Sequence, residues 1–298
     1  MKLSPRMKKL LMVLSVLCIA AVLTGCSVPT DENGNIILIE QTTSFRSLMA
    51  DESWFSAIFV WPLAQLINYL TPTFGVGIAI AVITISVNGL LAIGTFKTTI
   101  GMQEMQLIQP ELERIKRKYE GRDDAASRNK MAQEQANLYS KHHINPFSTM
   151  IVSFIQLPII MAMYMAVQRS AAVQNGTFLG LNLQLSPVQG VQNGEYLYIA
   201  LFVFMALCQF LSMWTPQHFS KVRARRIAEK QHRKPEDAGK SNLIMQVYMM
   251  VMILAFGLMW PTAMTVYWSI NSLVNVTKTV IVQKYIDIHE AKKGGSRK

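Results

Sequence analysis

FGVGIAIAVITISVNGLLAIGTF, residues 74–96, decides how this chain is read. These twenty-three consecutive residues carry no formal charge. A helix crosses the hydrocarbon of a bilayer in about 20 residues, so the run is long enough to span. Inside it stand the polar residues Thr84, Ser86 and Asn88. Polar groups at that depth are costly and turn toward protein or water. Thr84 and Asn88 are four apart and therefore share a helix face. They read either as the lining of a polar groove or as ordinary hydrogen bonds between helices.

The same apolar pattern recurs at 146–167, 196–214, 242–260 and 262–282, with Pro261 breaking the chain between the last two. These blocks hold Gln156, Gln209, Asn271, Ser272 and Asn275. Apolar residues make up 51% of the chain and charged ones only 16%, which argues against a soluble domain. A net charge of +11 raises the question of nucleic acid, but the basic residues lie between and after the apolar blocks. Residues 97–145 carry nine Lys and Arg, and 215–241 carry eight. The segment between the second and third blocks has only Arg169, and the linker from Cys26 to the first has only Arg46. The positive-inside bias then puts the N-terminal linker outside, and both basic loops and the tail inside. Five spans satisfy that topology.

The N-terminus gives the same orientation by an independent signal. Arg6, Lys8 and Lys9 precede an apolar run from Leu10 to Val22, which is too short for a span and fits an export signal. It ends in Leu23-Thr24-Gly25-Cys26, which resembles the lipobox of bacterial lipoproteins. The resemblance implies removal of residues 1–25 and lipidation of Cys26, with an N-palmitoyl and an S-diacylglycerol group, ahead of an extracellular linker over 26–53. The other cysteines are Cys18 and Cys208, so no mature disulfide pair and no CxxC metal spacing remain. Residues 54–70, from Trp54-Phe55 through Trp61-Pro62 to Leu70, read as an outer interfacial helix or as an irregular linker. The charged segment 97–145 reads as a helical hairpin turning at Gly121-Arg122-Asp123-Asp124.

Several motifs stand in a definite order. Met105-Gln106-Leu107-Ile108-Gln109-Pro110-Glu111 lies in the first basic loop. Ile144-Asn145-Pro146-Phe147 opens the second block, which contains Ile155-Gln156-Leu157-Pro158-Ile159. Phe178-Leu179-Gly180-Leu181-Asn182-Leu183 precedes the third. Trp260-Pro261-Thr262-Ala263 leads to Tyr267-Trp268-Ser269-Ile270-Asn271-Ser272 in the fifth. The ordered set resembles the YidC/Oxa/Alb family of membrane protein insertases, in the five-span lipoprotein form of Gram-positive bacteria, over about 54–286. A basic tail follows at 287–298.

The resemblance implies an all-α polytopic protein in the bacterial plasma membrane. Five helices would surround a hydrophilic groove open to the cytoplasm and to lipid. The groove would shorten the path of a client's polar segment through hydrocarbon, where each unsatisfied polar group costs several kcal/mol. No cofactor is implied, and no bond chemistry. The partners implied are nascent membrane proteins, membrane lipid, the Sec translocon and, through the basic loops and tail, the ribosome. Thr84, Asn88, Gln156, Gln209, Trp268 and Asn271 are the expected groove residues. The chain departs from the family at one place. Asn88 stands where an Arg is usual, so the expectation is a groove with a polar but uncharged floor. A small-molecule transporter is the alternative, although no internal repeat supports it. So is an insertase-fold scaffold with reduced insertion activity.

Overall fold

The structure is a computed structural model and describes residues 28–295, apart from residues 123, 231 and 233–239. Cys26 lies outside the described residues, as does the end of the basic tail. The chain is mostly helical. A short helix α1 (Phe45–Asp51) and a π-helical turn (Ser56–Val60) lead into α2 (Trp61–Phe74). Then come α3 (Val76–Leu107), α4 (Gln109–Lys118), α5 (Ala125–Lys141), α6 (Pro146–Arg169) and α7 (Ala171–Gln174). A strand pair, β1 (Thr177–Phe178) and β2 (Leu181–Asn182), and α8 (Pro187–Gln192) precede α9 (Leu197–Lys230), α10 (Lys240–Met259) and α11 (Thr262–Gly295). Two described helices, Val76–Leu107 and Leu197–Glu229, are long and apolar enough to cross a membrane by themselves.

Two of these helices outrun the apolar blocks that announce them. The α3 helix continues eleven residues past Phe96, because nothing in that stretch breaks a helix before Pro110. Pro110 then sits in the first turn of α4, where its missing N–H is not needed. The α9 helix likewise runs on into basic residues and tolerates Pro216 inside it. Thr215 Oγ1 donates to Leu211 O (2.7 Å) and Gln217 Nε2 to Met213 O (3.1 Å), so side chains supply donors on both sides of the one that Pro216 lacks. Gly75 ends α2 at φ +79, a conformation that only glycine adopts freely.

The chain forms two compact units. The first comprises the described residues up to Ile83 together with Leu157–Gln184. Its centre is Arg169, the last residue of α6, which is fully buried. The guanidinium donates to both carboxylate oxygens of Glu52 (2.7 and 2.5 Å) and through Nε to Ile37 O (2.8 Å). Asn68 of α2 completes this clamp. Its amide donates to Ile39 O (2.6 Å), and its oxygen accepts from Ser170 Oγ (2.7 Å) and Ala172 N (3.0 Å). Trp61 Nε1 reaches Thr43 O at 2.8 Å. The stretch 37–43 is thus held along α2 by the carbonyls of Ile39, Glu40 and Thr43. Ala57, Val60, Ala64 and Ile67 face inward from the π-turn and α2, while Trp54, Ile58, Leu66 and Tyr69 remain exposed. The β1–β2 pair closes through Leu179 (φ 54) and Gly180 (φ 81), both left-handed, as a two-residue hairpin requires. The Phe178 ring occupies the space that a Cβ at Gly77 would need, 2.1 Å from it, so the hairpin sits directly on the start of α3.

The second unit comprises Thr84–Gln156 and the described residues from Leu185 on. Helices α9 and α11 pack along each other, with α10 against both. Gly257 of α10 lets Met205 of α9 come within 2.5 Å of where its Cβ would be. A capping box at Ser186 and Gln189 starts α8, and Leu185 O accepts from both Thr262 N (2.9 Å) and Thr262 Oγ1 (2.7 Å). The loop is thereby stapled to the start of α11.

Helices α4 and α5 form an antiparallel pair around Ile108, Leu112, Leu138 and Ile144. At its far end Glu134 accepts from Lys118 Nζ (2.5 Å) and Tyr119 OH (2.9 Å). These bonds, the one from Lys118 first, hold the Glu134 carboxyl below the usual carboxylate range. Hydrogen bonds from Ser127 lower Asp124, the N-cap of α5, in the same way. A carboxyl whose pKa is lower in the folded state stabilises above its unfolded pKa, about 4. That contribution is lost as pH falls through the lower folded value. Amide hydrogen exchange, corrected for intrinsic rates, should therefore show α4–α5 protection constant from pH 7 to 5 and falling below about 4. In Glu134→Gln the step at low pH should shrink. An unchanged profile in that variant would separate Glu134 from the docking of the hairpin.

Candidate functional site

All six expected groove residues belong to the second unit. Thr84 and Asn88 are buried on α3, at 0% and 6% exposure. Asn88 Nδ2 donates to Thr84 O at 2.8 Å, one turn back on the same helix. That bond satisfies one donor of a side chain with two donors and an acceptor. No hydrogen bond among the described residues joins Asn88 to Gln156, Gln209 or Asn271. The hydrogen bond that Asn88 makes among the described residues stays within α3.

Gln156 is partly buried on α6. Gln209 is also partly buried, and its Oε1 accepts from Ser272 Oγ at 2.8 Å. This pair joins α9 to α11, the ordinary interhelical role for such residues. Trp268 is buried and stacks on Trp260, with centroids 5.4 Å apart and planes at 14°. Trp260 also packs on Phe256, so the indole pair lines the corner where Pro261 separates α10 from α11. Asn271 is partly buried, and its Oδ1 is shut off from solvent without a hydrogen-bond partner among the described residues.

Two further residues share the face of Asn271. Tyr267, fully buried, has a hydroxyl with no partner among the described residues. Lys278 is partly buried, and no described carboxylate lies within ion-pair distance of it. At 3.6 residues per turn, positions 267, 271 and 278 fall within about 40° of one another around α11. Helical spacing from Asn271 was the signal for both. A search of the fifth block for central charges passes over Lys278, because it stands one turn from the block's end.

Beyond the apolar stretches the unit carries a shallow surface recess lined by Gln103, Leu107, Pro216, Ser220, Arg223 and Gln283. Arg223 pairs with Glu104 at 2.8 Å beside it. Among the described residues no group of three or more His, Cys, Asp or Glu side chains could hold a metal. The arrangement offers polar side chains inside apolar helices.

A family model described as "60Kd inner membrane protein" matches residues 67–291, three quarters of the chain. A Bacillus anthracis protein named "Membrane protein insertase YidC 2" is 29% identical over 296 residues, covering 98% of this chain and 99% of the relative. A Listeria innocua protein of the same name is 29% identical over 286 residues, covering 95% and 86%. An Oceanobacillus iheyensis protein named "Membrane protein insertase YidC" is 28% identical over 283 residues, covering 93% and 97%.

Proposed function

From the fact that this chain belongs to the 60Kd inner membrane protein family, the YidC/Oxa/Alb insertases, we infer that it is a membrane protein insertase of the cell membrane. The observation that carries the reading is the match along nearly the whole chain to relatives named as insertases. The site adds a physical reason. Asn271 Oδ1 and the Tyr267 hydroxyl lie in an apolar helix with their hydrogen-bonding capacity unused among the described residues. In dry hydrocarbon such groups would each cost several kcal/mol. Both are closed to solvent, so a client's polar segment would give them a partner only as the helices around α11 part.

In this reading α3, α6, α9, α10 and α11 are the five spans, with the linker outside and the α4–α5 hairpin inside. Cys26 carries the lipid anchor, and the exposed face of Trp54, Ile58, Leu66 and Tyr69 lies in the outer leaflet. Clients are nascent membrane proteins, taken alone or from the Sec translocon. The basic loops and tail contact ribosomal phosphate or anionic lipid. The protein lowers a transfer barrier and makes no covalent bond. One observation favours a second reading. Asn88 brings no charge where the family has Arg, as a scaffold with reduced insertion activity would.

Rescue of an insertase-depleted bacterium separates the two readings, with accumulation checked by blot. The expected result is growth with the parent chain and with Asn88→Arg but not with Asn88→Leu, whose insertion rate should fall at least about tenfold, the loss of about 1.4 kcal/mol of barrier lowering. Rescue by Asn88→Arg alone would favour the scaffold. Failure of all three at normal accumulation would sink the insertase reading.

A further inference from the structure

We propose that the acyl chains carried by Cys26 lie against the exposed apolar end of α2, around Leu66, Tyr69 and Phe74, confined there by a short tether. The proposal goes beyond the insertase reading and rests only on its lipid anchor.

The first observation is that the segment after the anchor is folded onto the first unit. As a flexible linker, residues 26–53 would have an r.m.s. span of about 30 Å and would leave the anchor free to wander. Instead, Ile39 N donates to Arg169 O (2.6 Å), and Ala171 N donates to Ile39 O (3.3 Å). Ile37 O accepts from the buried Arg169 side chain at 2.8 Å. Upstream, Ile37 N donates to Pro29 O (3.0 Å), and Thr30 pairs with Ile36 in an antiparallel bridge. Pro29 is thereby fixed to the clamp. Cys26 stands three residues before it. Three residues extend to about 10 Å at most.

The second observation is direction. The linker runs antiparallel to α2. Thr43 O accepts from Trp61 Nε1, Glu40 O from Gln65 Nε2 and Ile39 O from Asn68 Nδ2. Following the linker back from Thr43 to Ile37 therefore leads toward the C-terminal end of α2. The small hairpin 29–37 then separates charge from lipid. Its turn holds Asp31, whose carboxylate accepts from Asn33 N and Asn35 N. Pro29, which leads to Cys26, lies at the opposite end of that hairpin.

The third observation is the surface waiting there. Leu66, Tyr69 and Phe74 are all exposed, Tyr69 at 75%. Residues 66–74 carry no formal charge, and they span about 12 Å of helix. An acyl chain reaches across one leaflet, about 15 Å, which is enough to cover them. Lipid tails are as apolar as leucine, so affinity alone would not choose this place. The tether chooses it, by keeping the local concentration of the anchor's own chains high. The anchor is then a fixed foot of the first unit, set beside the clamp.

The test uses the full chain in bacterial cells fed a fatty acid that carries a diazirine, which enters Cys26 and the phospholipids alike. After photolysis and trypsin, a cross-link from the anchor joins the fragment 26–46 to its target, and one from phospholipid lacks that fragment. Most cross-links bearing 26–46 should fall within 66–74. A ten-residue Gly-Ser insertion between Val28 and Pro29 lengthens the tether from three residues to thirteen, and should lower that yield about ninefold at equal acylation. Anchor cross-links spread over α9 and α10 would overturn the proposal. So would cross-links to 66–74 from phospholipid alone, which would make bulk lipid the occupant, or a yield that the insertion leaves unchanged. Absence of any acyl group on Cys26 would overturn the anchor and the proposal together, and leave the insertase reading standing.

Discussion

Glu52→Gln should lower the stability of the full chain by about 3–5 kcal/mol, the usual cost of stranding one member of a buried ion pair. Arg169 is fully buried and has few alternatives. Its Nε is bonded to Ile37 O, and both terminal nitrogens face the Glu52 carboxylate. A neutral amide at position 52 keeps the shape and removes the charge, leaving a guanidinium enclosed without an anion. The damage should spread through the clamp, since Ile39 is hydrogen-bonded to the Arg169 backbone and Asn68 to Ile39. Denaturant titration in detergent micelles measures the loss directly. The double variant Glu52→Met with Arg169→Met should lose much less than Glu52→Gln, because apolar replacement of a whole buried pair is often close to neutral. A loss below about 1 kcal/mol in the single variant would mean that the pair behaves as a solvated one.

Asn271→Leu should move stability and activity in opposite directions. A buried acceptor left without a donor costs about 1–3 kcal/mol, and leucine of similar volume removes that cost. Stability in detergent should therefore rise by about that amount, and insertion of a polar client segment should fall. Tyr267→Phe should do the same on a smaller scale. Such opposition is expected where a site is kept imperfect for its function. If Asn271→Leu instead lowered stability, the amide would be a satisfied structural group and the stripe on α11 would lose its meaning. Equal insertion by parent and variant would separate the residue from client handling.

Helical character and the long apolar helices were legible because each rests on local composition, and a span-length uncharged run has few other uses. Helix ends were less legible. Lys97 reads as the start of a loop, yet α3 continues to Leu107, since charge shows where lipid ends and not where hydrogen bonding stops. The clamp in the first unit was not legible at all. Arg169 looks like a stray charge in an otherwise neutral segment, and its partner Glu52 is 117 residues away with no local pattern to connect them. The β1–β2 pair is too short for alternation to reveal it, although Leu179-Gly180 marks its turn. Among the candidate groove residues, side-chain chemistry singled out Asn88, Gln209 and Asn271. Only coordinates distinguish Gln209, engaged with Ser272, from Asn271, whose oxygen has no described partner. Trp268 drew attention as a possible wall and packs on Trp260.

The discontinuous first unit has a consequence for how the protein is made. Glu52 leaves the ribosome 117 residues ahead of Arg169. At bacterial and eukaryotic synthesis rates of about 5–20 residues per second, that gap lasts about 6–23 s. Throughout it the early segment waits with its carboxylate unmatched and the carbonyl of Ile37 unclaimed. The seam can close only once α6 has arrived, and by then the whole intervening stretch from Thr84 to Gln156 has been synthesised. A chain that we read as an assistant to other membrane proteins thus has a long adolescence of its own, during which its first unit depends on a residue not yet translated.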